Sequence, residues 1–177
     1  ATCAIAHRAE LVSQMSVALG REGVRHRVIG PDKLRRACTQ AHLEEFNRSY
    51  YDPNARVAVA SVDTLINADP KDPWFAQVGL CIQDEAHHVL AENKWGKAFG
   101  MFPNALGLGV TATPIRADGK GLGRHADGLF DSMVEGPTMR ELIGQGFLTD
   151  YRVFAPPSDI DLSQVTVTDS GDYRDRK

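Results

Sequence analysis

Apolar residues recur along this chain in short blocks whose period switches between that of a strand and that of a helix. Thr2 to Ala6 is a brief apolar run; after it Leu11, Met15 and Leu19 return every four residues until Gly20 and Gly23 break the pattern. The spacing predicts a strand, then a helix over about Arg8 to Leu19. Arg25 to Ile29 predicts a second strand. Pro31 opens a helix predicted to reach about Tyr50, with Leu34, Cys38 and Ala41 on one side, and Asp52-Pro53-Asn54 turns the chain after it. Arg56 to Ala60 predicts a third strand, with a helix starting at Ser61 to Val62. Gly79 to Gln83 and Leu106 to Val110 predict two more strands. Pro137 and Thr138 open a short helix, Met139 to Gly144, stopped by Gly146, and Tyr151 to Ala155 predicts a last strand. Strands alternating with helices predict an α/β fold whose sheet is mostly parallel and covered by helices on both faces.

Beyond Ser158 the apolar content falls and Asp, Ser, Thr and Gln take over, so residues 157–177 read as a linker or the start of a following domain. No internal repeat and no low-complexity segment is visible. With 177 residues and 42% apolar content the chain is about one domain with a real core. The opening Thr2-Cys3-Ala4-Ile5-Ala6 is too short, and lacks the basic flank, for a signal peptide, and no apolar run approaches the roughly 18 residues of a membrane span. Cys3, Cys38 and Cys81 are odd in number and widely spaced, which suits buried free thiols in a reducing compartment; a cytoplasmic, membrane-free protein is expected.

A net charge of −3 does not advertise a nucleic-acid binder, so any such contact has to be local. Between Arg21 and Arg36 six cations stand against two carboxylates, Glu22 and Asp32. A solvated basic face is the plain reading of that run.

The densest chemistry lies at Leu80-Cys81-Ile82-Gln83-Asp84-Glu85-Ala86-His87-His88, where two carboxylates and two histidines end a short, largely apolar strand. At the carboxyl edge of an α/β sheet, Asp84 can hold a magnesium ion through water. Glu85 can take the proton of a water attacking a γ-phosphate, and His87, within one turn of both, can meet that phosphate or the loop at Thr111-Ala112-Thr113-Pro114. Two other readings of the residues stand open. Asp-Glu-Ala-His can be a helix start whose acids complement the dipole, and the histidines can belong to a zinc site, although adjacent histidines point in different directions and His88 reads more naturally as a packed residue.

Ala4-Ile5-Ala6-His7-Arg8-Ala9-Glu10-Leu11, Ser61-Val62-Asp63-Thr64-Leu65, Asp84-Glu85-Ala86-His87 and Thr111-Ala112-Thr113-Pro114 follow one another in the order of motif Ia, the nucleic-acid-touching segment after it, motif II in its DEAH form, and motif III. In this the chain resembles superfamily 2 DEAD/DEAH-box helicases. Ile115-Arg116-Ala117-Asp118-Gly119-Lys120-Gly121-Leu122 and the later Gly136 to Ile143 resemble the phage and bacterial DNA-repair and restriction-translocase type. The resemblance implies an internal fragment of a first RecA-like domain over residues 1–156. The fold it implies is α/β of the RecA-like, P-loop NTPase type, lacking the P-loop strand.

It further implies an ATP-dependent helicase or translocase with ATP and Mg2+ as cofactors. Asp84 takes the metal, Asp84 and Glu85 face the nucleotide, and Asp84, Glu85, His87, Thr111 and Thr113 form the catalytic set. His7, Arg8, Thr64 and Arg116 meet nucleic acid, DNA by preference over RNA, and a second RecA-like domain is a further partner. One departure is plain: no Gly-x-x-x-x-Gly-Lys-Ser/Thr run occurs in these residues, so nothing here cradles the β- and γ-phosphates. That loop and its strand are expected upstream of Thr2, beside the strand that carries Thr111. The fragment by itself is expected to be catalytically silent, with a P-loop-less module that only binds nucleic acid or protein as the alternative.

Overall fold

In the computed structural model, which describes residues 1–116 and 119–154, alternating apolar blocks become alternating strands and helices. The strands are β1 (Thr2–Ala6), β2 (His26–Ile29), β3 (Val57–Ser61), β4 (Leu80–Asp84) and β5 (Leu106–Val110). They lie in the order β2-β3-β1-β4-β5 with every pairing parallel. All five carboxyl ends therefore share one edge of the sheet. The crossovers carry α1 (Ala9–Arg21), α2 (Asp32–Phe46), α3 (Val62–Leu65), α4 (Pro73–Gln77) and α5 (Lys94–Phe99).

Because successive strand residues point to opposite faces, the sheet splits the core in two. On one face Cys3, Ile5, Ala58, Ala60 and Cys81 pack with Leu65, Trp74, Phe75, Ala98 and Phe102 from α3, α4, α5 and the turn after α5. On the other, Ala6, Val28 and Val59 pack with Val12 of α1 and Leu34 and Cys38 of α2. The three cysteines are free and buried, and burial pushes the Cys81 thiol up to about 12. Among the described residues no helix is long and apolar enough to cross a membrane.

The two faces are not equally covered. Gly107 and Gly109 of β5 lie beneath Phe99 and Phe130, so close that an added Cβ would fall 2.1 Å and 2.4 Å from those rings. The opposite face of the same strand carries Leu106, Leu108 and Val110, which are 78%, 48% and 43% exposed. They continue a strip begun by their register partners Leu80 and Ile82 on β4, both half-buried. A parallel sheet ordinarily buries both faces, so this strip is an unusual surface.

Two expectations are corrected. The second helix stops at Phe46, short of Tyr50, because Asn47 takes a left-handed conformation (φ 56°) and the chain turns back so that Tyr51 bridges to His26. Tyr151 to Phe154 form no strand; Tyr151, Val153 and Phe154 are 58%, 79% and 83% exposed, and alternation without a neighbouring strand makes no ladder. The basic run from Arg21 to Arg36 is the solvated face expected of it: Arg21, Arg25, Lys33 and Arg36 are exposed, with surface ion pairs of Arg21 to Glu45, Arg25 to Asp52 and Arg35 to Asp32, while Arg27 donates to the Ala55 carbonyl and lies 4.9 Å over the Trp74 ring. The expected linker at 157–177 lies outside the described residues.

The internal contacts divide the chain into Ala1–Asp131 and a second unit from Ser132 onward. In the second unit α6 (Met139–Gly144) starts from a capping box. Thr138 Oγ1 accepts from the Glu141 N–H while the Glu141 carboxylate accepts from the Thr138 N–H, and these bonds hold the Glu141 carboxyl below its ordinary range.

Between α1, α2 and β2 lies a buried polar chain whose proton positions follow from its ends. The Val24 carbonyl can only accept, so His26 Nδ1 donates to it at 2.8 Å, and His26 Nε2 accepts from Ser16 Oγ at 2.7 Å. Ser16 Oγ accepts in turn from His42 Nε2 at 3.1 Å, and His42 Nδ1 accepts from the Tyr50 N–H. Both rings are neutral in this arrangement. Burial lowers the His26 pKa from its ordinary 6.5, partly opposed by its bond to the Val24 carbonyl. The unfolded chain thus takes up a proton more readily than the folded one, so the contribution is present above about pH 6.5 and lost as pH falls below it. The thermal midpoint is expected to drop between about pH 7.5 and pH 5.5. His26→Gln should flatten that drop, and an unchanged pH profile in the variant would show that the stability loss originates elsewhere.

Candidate active site

Parallel register brings the candidate residues together. Asp84 is the last residue of β4 and pairs with Val110, the last of β5, so the two following loops leave the sheet side by side. Asp84 is half-buried at that edge, and no described side chain binds its carboxylate. Gln83 before it is fully buried, donates from Nε2 to the Asp84 carbonyl at 2.7 Å, and leaves its own Oε1 without a partner among the described residues.

Glu85 makes the turn. It sits at φ 53°, ψ 49°, the left-handed region in which a residue with a Cβ is strained. A single helical turn, Ala86–His88, follows. It carries His87 back over the acid, with Nδ1 3.3 Å from Glu85 Oε2. The same nitrogen lies 2.8 Å from Thr111 Oγ1 and 3.2 Å from Thr113 Oγ1. Thr111 already donates its hydroxyl proton to the Thr113 carbonyl at 3.1 Å, so its oxygen accepts from His87, and Nδ1 must carry a proton. One N–H thus holds the loop after β4 to the loop after β5. With Asp84 and Glu85 the edge offers hard oxygen donors, Glu85 being 39% exposed; this donor set suits a magnesium ion held by carboxylate and water.

The residues expected to meet nucleic acid divide. His7 and Arg8 leave β1 directly, and Arg8, exposed, is the residue before the first turn of α1; its own side chain does not cap that helix. Thr64, half-buried, sits in α3 at the exit of β3, beside Asp63, which accepts from Lys94 Nζ at 2.8 Å. These lie on the same edge as the acidic pair. Arg116 does not join them. It is only 4% exposed and its Nη1 donates to the Ala126 carbonyl at 2.8 Å, because the chain folds back antiparallel through Ile115 and Gly121 and encloses the guanidinium.

Sequence reasoning missed the segment that braces this edge. Asn93 caps α5 by accepting from the Trp95 and Gly96 N–H groups, and its Nδ2 donates to the His88 carbonyl at 2.7 Å. The available signal was an N-capping Asn before a short apolar run. Trp95 then stacks on His88, with centroids 5.1 Å apart and planes 23° apart, and meets the His7 ring edge-on at 5.2 Å.

Residues 1–116 match the family described as Type III restriction enzyme, res subunit. The chain belongs to that family. It is a family of superfamily 2 helicase type, and the chain's five-stranded sheet is all-parallel with helices on both faces. Over 94 residues the chain is 36% identical to the "51.5 kDa protein" of a Lactococcus phage, a stretch that is 53% of this chain and 19% of the phage protein. Two crystal structures of the UvsW helicase of bacteriophage T4 are similar at 17% identity and a TM-score of 0.41; each covers 61% of this chain, and 36% and 20% of the respective UvsW chains.

The strain at Glu85 of this res-subunit relative can be measured. A left-handed residue with a side chain costs about 1–2 kcal/mol more than glycine. Glu85→Gly and Glu85→Ala both remove the carboxylate and its contact with His87, so their difference isolates the backbone. Denaturant unfolding should find the glycine variant more stable than the alanine variant by about 1 kcal/mol. Equal stabilities would mean that the turn relaxes out of the left-handed region.

Proposed function

We propose that this chain is the acid-bearing part of an ATP-driven motor that moves on nucleic acid, with DNA favoured over RNA by resemblance. The observation that carries the reading is the His87 N–H bonded to Thr111 and Thr113 and lying 3.3 Å from the Glu85 carboxylate, since it sets the water-activating acid beside the loop of the neighbouring strand. Asp84 would hold magnesium through water, and the ion would draw charge from the phosphate oxygens. Glu85 would accept the proton of the attacking water. His87, bonded to Thr111, would hold Glu85 in its turn and transmit a change at the nucleotide to the β5 loop. Arg8, His7 and Thr64 would meet the sugar–phosphate backbone on the same edge.

The phosphates still need a cradle. The exposed strip of Leu106, Leu108 and Val110 lies beside the acidic pair, on β5, the edge strand among the described residues. A strand and helix bearing a phosphate-binding loop would fit there, covering the strip and bringing backbone N–H groups toward Asp84. Burying a Val or Leu side chain fully contributes about 1.5–3 kcal/mol, so such an element would stabilise the sheet substantially.

Three measurements test this reading. The 177-residue chain by itself should hydrolyse ATP no faster than background. A longer version carrying a phosphate-binding loop should melt higher and bind ATP in a magnesium-dependent way that Asp84→Asn weakens. Turnover by the 177-residue chain that nucleic acid stimulates and Glu85→Gln abolishes would overturn the claim of a missing cradle. Affinity of the chain for single-stranded DNA should be weak and fall steeply with salt, and Arg8→Ala should lower the slope of log affinity against log salt by about 1. Salt-insensitive binding, or binding untouched by Arg8→Ala, would move the contact face elsewhere.

A further inference from the structure

The aromatic cluster at the carboxyl edge of the sheet has a composition that core packing does not call for. Its rings are His7, His88 and Trp95, drawn from the exits of β1 and β4 and from the first turn of α5. A site meant only to be filled would take Leu or Phe, as the lower part of the same face does with Phe75 and Phe102. Here the rings carry polar edges, and they reach the surface: His88 is exposed and Trp95 half-buried. Trp95 lies almost parallel beneath His88, so the outer ring is backed by a larger, less mobile one.

The backing is held firmly. Asn93 bonds the His88 carbonyl and, two and three residues on, the first N–H groups of α5, so one side chain sets His88 against Trp95. At Gly96 an added Cβ would fall 2.1 Å from the Leu90 carbonyl oxygen, so the chain closes tightly between the two rings. A rigid platform loses little entropy when a ligand settles on it. Cations flank it: Lys94 Nζ lies 5.7 Å from the Trp95 ring centroid, and Arg8 follows His7 directly. Stacked aromatics interleaved with exposed cations suit single-stranded nucleic acid, whose bases stack while its phosphates pair.

We propose that His88, backed by Trp95, is a stacking platform for one base of a single strand bound along this edge. The inference rests on the nucleic-acid reading above and adds to it a contact with a base. It has a consequence for coupling, because the His87 ring lies 4.1 Å from that of His88 and its Nδ1 bonds Thr111 and lies 3.3 Å from the Glu85 carboxylate. A base on the platform would press on the residue that faces the acid. Stacking carries no base code, so the preference should be for single strands over duplex and not for any one sequence.

The test compares a short oligothymidylate with the same oligomer carrying abasic sites, which keep the phosphates and remove the stacking faces. Fluorescence anisotropy with the 177-residue chain at low salt reads both. The intact strand should bind about tenfold more tightly than the abasic one. His88→Ala should abolish that difference, and His88→Phe, which keeps a ring but loses its nitrogens, should restore it; His88 is exposed, so neither change should disturb folding. Equal affinity for intact and abasic strands, with binding still salt-dependent, would overturn the platform and leave the phosphate contacts standing. A difference that persists in His88→Ala would also overturn it, by placing the stacking elsewhere. No binding of either strand would overturn the platform together with the nucleic-acid reading.

Discussion

The parallel register of β4 against β1 and β5 is the constraint from which the rest of the site follows. Ile5 pairs with Gln83 and Asp84 with Val110, so the loops that leave three adjacent strands emerge within reach of one another. A slip of one residue would turn Asp84 to the opposite face and exchange buried Cys81 and Gln83 with half-buried Leu80 and Ile82. The core resists that slip more strongly than the site does. Cys3, Cys81, Ala58 and Ala60 share one packed face in which the small side chains leave room for Trp74, Phe75 and Phe102. Hydrophobic packing, with no help from the charged residues, thereby places the chemistry.

Within the site one proton does several jobs. The His87 N–H is shared by two hydroxyls, and the strained turn at Glu85 puts its carboxylate 3.3 Å from the same nitrogen. Strain of order 1–3 kcal/mol is tolerable only where surrounding bonds over-determine the conformation. Here the turn is bounded by a paired strand on one side and a single helical turn on the other, closed by the His88 N–H to the Glu85 carbonyl at 3.0 Å. The acid is held by geometry.

What could be read from sequence follows a physical divide. Strands in this chain are continuous apolar runs, so β5 was legible to the residue, and Leu80 to Asp84 differed by a single position at each end. Helix α6 was legible because its ends are written in Thr138, Glu141 and Gly146. Helices α4 and α5 were not, since helices of 5 and 6 residues show less than two turns of periodicity; only their caps, Asp72 with Pro73 and Asn93, betray them. The acidic pair and Thr111 stood out as residue types, whereas the fate of Arg116 depended on a fold-back that no local pattern announces. Trp95 was the largest omission. Its role comes from neighbours 88 and 7 positions removed in sequence and from an Asn cap, and contacts of that kind become visible only once the sheet order is known.

The uneven coverage of the sheet connects fold to chemistry. On the face of α3, α4 and α5 the cover extends to the last strand, where Gly107 and Gly109 make room for Phe99 and Phe130. On the face of α1 and α2 the packed cluster draws on β1, β2 and β3, and the strip on β4 and β5 is left to solvent. Glycine at 107 and 109 would weaken an isolated edge strand, having no side chain to pair across it. A strand with that composition suits an interior position, flanked on both sides, better than an edge. The place where β5 calls for a neighbour lies beside Asp84, where phosphates would call for backbone N–H groups. A single strand-and-helix element at that position would answer both needs, so stability and nucleotide binding would be gained together in a domain of this family.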